Sequence, residues 1–332
     1  MKRIAFLNSK GDVGQTTLVY HLAHMLVDQG HRVLLLDLDP QSGLTAMCLP
    51  EDRIEDLWSD YPFEDRTVFD AVHPLLLGTG DIRKPHVEEL KEGLALVPGD
   101  VALYAFEETL SDAWIRALNG DAYAFRALSA FHRLIAMATE QHRPDVTLLD
   151  VGRGLGANTR AALLAADFVV TPLAPDPYSM LGLHNAGMTL PSWRDHWRLM
   201  LDGSPNVELD LPTGQMEPLG YVVMQAVMRL SKPIKAYEKW LERIAGTYHQ
   251  SILHDRFFLP SSQGDPWCLG IMRNYQSLMP LAQDARKPMF DLRPGDGAIG
   301  AHMEAVLRCR EDFERLSTSI LTRADELSAQ AP

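Results

Sequence analysis

Short continuous apolar runs punctuate this chain, most of them closing on an acidic residue or a proline. Residues 4–7 (Ile-Ala-Phe-Leu), 33–36 (Val-Leu-Leu-Leu), 94–97, 146–149, 168–173 and 219–224 have no polar alternation, the pattern of strands buried on both faces of a parallel sheet. Between them lie segments of helical period: 18–27, 110–142 with a break at Asn119-Gly120, 158–165, and 179–200 crossed by Pro191. Further on, 233–248 reads as an amphipathic helix with Ile234, Tyr237, Leu241, Ile244 and Tyr248 on one face, and 301–327 as a last helix. Residues 50–75 are acidic and aromatic, with the look of a short helical excursion, and 259–298 are rich in Gly and Pro with little periodicity. Strands alternating with helices predict an α/β fold, a mostly parallel twisted sheet with helices on both faces. We expect a single domain over residues 1–332, with insertions at about 50–130 and 202–217 and a C-terminal helix at about 301–327.

Composition narrows the function classes. The formal charge of −13 makes the whole molecule repel nucleic acid and anionic lipid, so either contact needs a local basic patch. Cys48, Cys268 and Cys309 are far apart, without C-x-x-C or metal-ligand spacing, which predicts reduced thiols and a cytoplasmic location. No apolar run approaches the ~18 residues of a membrane helix. The N-terminus enters a strand-like run without the apolar region of a signal peptide.

The candidate chemistry sits where the strands end. Ser9-Lys10-Gly11-Asp12-Val13-Gly14-Gln15-Thr16-Thr17 joins the first strand to a helix, the arrangement whose backbone N–H groups and helix dipole favour a phosphate. The generic loop G-x-x-x-x-G-K-[ST] fails at Ser9 and Gln15. Two other strands end on carboxylates, at Asp37 with Asp39 and at Asp150. In open α/β sheets ligands bind outside the carboxyl ends of the strands. A phosphate loop beside two acidic strand ends suits a nucleotide–Mg²⁺ complex. A nicotinamide reading, prompted by Asp37 about 20 residues beyond the loop, fails because Gly11-Asp12-Val13-Gly14 is not G-x-G-x-x-G.

Lys10 to Thr17 resembles the deviant Walker A loop, K-G-G-x-G-K-T-T, of the ParA/MinD-type ATPases. Val33 to Gln41 is similar to that family's second motif, and Asp150 with Gly154 to Thr159, then Ala165 to Pro172, to its third. Weaker likeness continues at Met279-Pro280-Leu281-Ala282 and Arg286-Lys287-Pro288-Met289. The resemblance implies a ParA-like P-loop fold that binds ATP or ADP with Mg²⁺ and closes as a homodimer. It implies backbone contacts to phosphate from Gly11, Asp12, Val13, Gly14, Gln15, Thr16 and Thr17. It gives Lys10 the role of the signature lysine and Asp39 that of orienting the attacking water. Thr16, Asp37 and Asp150 would serve the metal.

Three positions depart from that pattern. Gln15 replaces the lysine that bridges the β- and γ-phosphates, a charge-assisted contact of about 1.5–3 kcal/mol. Asp12 replaces a glycine, and two like charges ~4 Å apart at an effective dielectric of ~20 repel by about 4 kcal/mol. Arg153 stands where the third motif has proline. The loop is therefore degenerate, and weak or absent hydrolysis is expected. A pseudo-ATPase scaffold that uses the dimer surface without hydrolysis is the alternative to an impaired ATPase acting in partition or positioning of DNA or other cargo. Lys232, Lys235, Lys239 and Arg243 recur at helical spacing as a candidate stripe for nonspecific DNA contact, against which the intervening Glu238 and Glu242 weigh. The family resemblance also implies a ParB-like or other stimulating partner. The last helix is net acidic between 304 and 326, so no membrane tether is expected.

Overall fold

The computed structural model describes residues 1–58, 66–203, 209–226, 228–229, 232–233, 235–258, 264–275 and 277–330, without side chains over 228–238. The chain opens with β1 (Lys2–Phe6), α1 (Gln15–Asp28), β2 (Val33–Leu38), α2 (Gly43–Cys48), α3 (Glu51–Leu57) and α4 (Val68–Leu76). It continues through β3 (Glu88–Lys91), β4 (Leu94–Val97), α5 (Phe106–Ala117), α6 (Ala122–Leu128), α7 (Ala130–His142), β5 (Val146–Val151) and α8 (Ala157–Leu164). Then come β6 (Phe168–Leu173), α9 (Pro177–Asp202), β7 (Glu217–Ala226), β8 (Met228–Arg229), β9 (Lys232–Pro233) and α10 (Lys235–Ser251). β10 (Cys268–Arg273), α11 (Met279–Ala285) and α12 (Ala301–Gln330) close it. Eight strands form one mostly parallel sheet in the order β10-β7-β6-β1-β5-β2-β4-β3, as the α/β pattern predicts.

Contacts group the residues into two compact units. The first comprises Met1–Leu7, Gly30–Val169 and Thr189–Glu217. Its strands β2 and β5 are buried along their whole length, which is why they read as unbroken apolar runs. β5 lies between β1 and β2, parallel to both, and the register sets Asp150 beside Phe6 on one side and Asp37 on the other. The α8 N-terminus has no cap of its own. Glu107 on α5 fills it, accepting from the backbone N–H groups of Ala157 at 2.5 Å and Asn158 at 2.7 Å.

The second unit comprises Asn8–Gln29, Val170–Met188 and Pro218–Pro332. β10 runs parallel to β7, and α12 packs on β10 and α1. Leu173, Leu183, Tyr221, Val223, Ile244 and Tyr248 make a buried cluster between strand and helix. The apolar face read in 233–248 is thus a packing face at Ile244 and Tyr248, whereas the side chains of Ile234 and Tyr237 lie outside the described residues.

Several elements differ from the sequence expectation. The long helical stretch over 110–142 is three helices, α5 to α7, because the turn at Asn119-Gly120 and a second junction at Ser129 break it. β3 (Glu-Glu-Leu-Lys) is a polar edge strand, antiparallel to β4, with no apolar run to announce it. β10 lies inside the stretch read as aperiodic. Pro233, expected within the helix 233–248, instead lies with Lys232 in β9 against β8, and α10 starts at Lys235.

At the end of β4 the fold requires a residue without a side chain. A Cβ on Gly99 would stand 2.7 Å from Asp37 Cγ, in a buried position where nothing is free to retreat. Gly99→Ala is expected to cost about 1–3 kcal/mol, the usual range for overpacking, read as a lower urea midpoint with an unchanged slope.

Candidate functional site

In the second unit the phosphate loop is built from backbone conformation first. Asp12 has φ 63° and Gly14 φ 88°, both left-handed. The sequence departure at Asp12 thus falls where the backbone favours glycine, and Asp is among the few side chains that tolerate the conformation. Gly14 caps α1 without a side chain, and the first turn of α1 holds no acidic residue. No side chain caps the start of this 14-residue helix, the place where a helix dipole favours an anion.

Neighbouring groups hold the loop in this shape. Asn8 donates its side-chain amide to Pro172 O and accepts from the Lys10 backbone N–H. Gln225, itself at φ 57°, donates to Asp12 O at 3.0 Å. A Cβ on Gly182 would stand 2.2 Å from Ser9 Oγ, so α9 carries glycine where the loop crosses it. The Lys10 ammonium pairs with Asp176. Gln15, Thr16 and Thr17 are half-buried at the start of α1, and the Asp12 side chain is exposed. That exposure lowers the repulsion expected from Asp12 toward the ~1 kcal/mol of two charges at ~4 Å in water. Gln15 is then the larger departure.

The loop opens on a cavity of about 250 Å³ lined by Asp12, Gly14 and Thr17 on one side. The other walls are mostly apolar, with Leu18, Met224, Met272, Met279, Met289 and Phe313, and carry Gln225, Arg273, Asn274 and Tyr275 as polar groups. Unbranched methionines fit irregular flat ligands, and a few fixed polar groups orient them. Gln225, Met272, Arg273, Asn274 and Tyr275 did not stand out in the sequence, because they come from the end of β7, from β10 and from a segment without periodicity.

His21 joins the loop's helix to this pocket. Its Nδ1–H donates to Thr17 O at 2.7 Å and its Nε2 accepts from Met289 N–H at 3.0 Å. The ring lies against Phe313 and Phe290. Burial pushes its pKa down to about 4, outweighing the hydrogen bond to Thr17.

In the first unit the carboxylates predicted at the strand ends come together. Asp37 and Asp150 are register partners and both buried. Asp37 Oδ2 accepts from Thr45 N at 2.8 Å and Thr45 Oγ1 at 2.7 Å, while its buried Oδ1 has no hydrogen-bond partner. Burial, and then the Asp150 and Asp39 charges, raise Asp37 to about 8 against the opposing Thr45 bonds. Asp39 is half-buried, its Oδ1 accepting from Gln41 N at 2.9 Å. Among the described residues no group of three or more His, Cys, Asp or Glu could hold a metal ion.

Of the candidate basic stripe, Lys239 and Arg243 are exposed, and Arg243 lies over the Trp240 ring. Lys232 sits in β9 and so falls off the helical spacing; its side chain and that of Lys235 lie outside the described residues. Arg153 is exposed. No helix of the described residues is long and apolar enough to cross a membrane.

Comparison with known proteins places these features. An "AAA domain" family model matches residues 1–201. The "Virulence plasmid ParA family protein pGP5-D" of Chlamydia psittaci is 32% identical over 187 residues, 55% of this chain and 61% of that protein. The match thus spans less than two thirds of that relative's length. Protein DIP2308 from Corynebacterium diphtheriae superposes with a TM-score of 0.70 at 23% identity, covering 98% of this chain and 99% of that one. A putative plasmid partition protein of Borrelia burgdorferi, bound to AMPPNP, gives 0.55 at 17% identity, covering 97% and 98%.

The His21 geometry sets a pH dependence. A folded-state pKa of about 4 against an ordinary 6.5 means the folded chain binds fewer protons than the unfolded one between those values. The contribution is whole above pH 6.5 and is lost as pH falls toward 4, in total roughly 3 kcal/mol at about 1.4 kcal/mol per pH unit. Urea titrations of the parent and His21→Gln across that interval are expected to differ in slope, the parent losing stability faster.

Proposed function

We infer that this chain, which belongs to the ParA-like P-loop ATPase family of AAA domains, binds an adenine nucleotide with Mg²⁺ and acts in partition or positioning of DNA or another cargo. The observation that carries this reading is the continuity of the uncapped α1 N-terminus with the methionine-lined cavity. Phosphates would lie on the loop's N–H groups from Gly11 to Thr17, and the planar base between the apolar walls. Gln225 and Asn274 are the groups placed to read its edge.

Mg²⁺ takes hard oxygen donors and keeps several waters, so it needs no cage of protein ligands. Asp37 and Asp150 supply such oxygens, and the unpartnered Oδ1 of Asp37 beside a second carboxylate fits a cation. Thr16 is the loop's candidate ligand by its place in the motif. A bound Mg²⁺ would neutralise phosphate charge and order water, and Asp39 is the residue proposed to orient the attacking one. Lys10 is proposed to reach the phosphates of a second copy in a nucleotide-bound homodimer. Exposed Lys239 and Arg243 remain the described part of the candidate DNA contact, with a ParB-like stimulator as the expected partner and the cytoplasm as the expected site of action.

Gln15 gives the second reading its footing. With no charge at the bridging position, nucleotide binding through backbone and metal survives more readily than hydrolysis, which leaves a nucleotide-dependent scaffold. Calorimetry and turnover of the parent beside Gln15→Lys with Asp12→Gly decide between the readings. The reversion is expected to bind Mg-ATP about a hundredfold tighter, one charge-assisted contact plus one weak repulsion, and to hydrolyse it faster. Equal affinity in the two chains defeats the phosphate-loop assignment. Equal turnover defeats the reading of Gln15.

A further inference from the structure

A second cavity, of about 430 Å³, lies within the second unit, lined from β7, α10, β10 and the segment that joins α10 to β10. It shares no lining residue with the cavity at the phosphate loop. Its volume falls in the roughly 300–1,000 Å³ range of small-molecule sites. The hollow has local causes. The edge strand β10 shifts register against β7 between Cys268 and Gly270 and again between Ile271 and Arg273, and such irregularities bend a strand. Three of the residues on the wall are also small: Ala245 on α10, Gly264 and Gly270.

The polar side of the cavity is built on Asp265, whose side chain is only 7% exposed. Its Oδ1 accepts from His249 Nε2 and Trp267 N, both at 3.0 Å, and its Oδ2 accepts from the Tyr221 hydroxyl at 2.8 Å. A carboxylate offers roughly four lone-pair sites, so these bonds fix the group and leave Oδ2 one to spare. Glu242 on α10 adds a second, exposed carboxylate. No Lys, Arg or His is among the lining residues. Burial pushes the Cys268 thiol up to about 11 and raises the Tyr221 hydroxyl too, so both are neutral at neutral pH. The charge of the wall is left to the two acids. His249 stands behind Asp265 but also faces Asp255 at 3.5 Å, so acidic groups outnumber it. The remaining wall is apolar, with Leu241, Ile271 and the Phe258 ring, which stacks on His249 at 3.5 Å between centroids. Aromatic rings attract cations through their faces.

We propose that this cavity is a second ligand site, separate from the phosphate loop, and that it takes a small organic cation: a protonated primary amine on an apolar body. The ammonium group is matched by Asp265 and Glu242, and the hydrocarbon part by Leu241, Ile271 and Phe258.

Phenethylamine is the probe and phenethyl alcohol its neutral counterpart, each titrated by calorimetry into the full chain without nucleotide. The amine is expected to bind about tenfold tighter than the alcohol, the scale of one charge-assisted contact. Glu242→Gln is expected to weaken the amine about two- to fivefold, the range of an exposed ion pair, and to leave the alcohol unchanged. Ala245→Leu, a substitution that suits a helix and fills the space, is expected to abolish binding of both. In amide NMR spectra of the parent, the Gly264 and Gly270 signals should move with the amine while that of Gly14 stays. Equal affinity for amine and alcohol overturns the proposal, as does amine binding of parental strength in Ala245→Leu. Absence of both heat and shifts at millimolar amine overturns it too. No readout uses ATP, so the proposal stands or falls apart from the nucleotide reading.

Discussion

The first turn of α1 follows Gly14 with no side-chain cap, and much of the second unit is arranged around the loop that delivers the chain to it. Gly14 at φ 88° delivers the chain to the helix without a side chain that would fill the position. Asp12 at φ 63° bends the loop one step earlier. Asn8, Gln225 and Gly182 then fix the loop from outside through a carbonyl, a backbone oxygen and a close approach. His21, kept neutral by burial, ties the following turn to Met289 in the pocket wall. These contacts hold the loop in one shape from several sides.

Charge is distributed less favourably than shape. Gln15 contributes none, Lys10 is paired with Asp176, and Asp12 carries the wrong sign, though its exposure weakens it. In the first unit, Asp37 and Asp150 share a dry environment in which one of them resists ionising. A cation would relieve that pair.

Much of this was legible in the chain. The buried strands announced themselves as unbroken apolar runs, and Asp37, Asp39 and Asp150 could be placed at their ends because the parallel α/β pattern dictates where ligands bind. The loop was readable from its glycines. The pocket was not, because Met224, Gln225, Met272 and Asn274 converge from separate strands and share no spacing. The polar edge strand β3 had no hydrophobic signature, and Lys232-Pro233 carried a helix-start signal that strand pairing with β8 overrode. Asp176 was hidden in plain sight: Asp-Pro before a helical run marks a cap, but nothing in the sequence says that its second oxygen holds Lys10.

On the proposed reading, one ligand spans the α1 N-terminus and the methionine-lined cavity. Photolabelling with 8-azido-ATP and Mg²⁺, followed by peptide mapping, tests it most directly. ATP-competable adducts are expected in the peptides carrying Met224–Gln225 or residues 272–289. Competable labelling confined to peptides elsewhere in the chain, or labelling that unlabelled ATP does not displace, would contradict it.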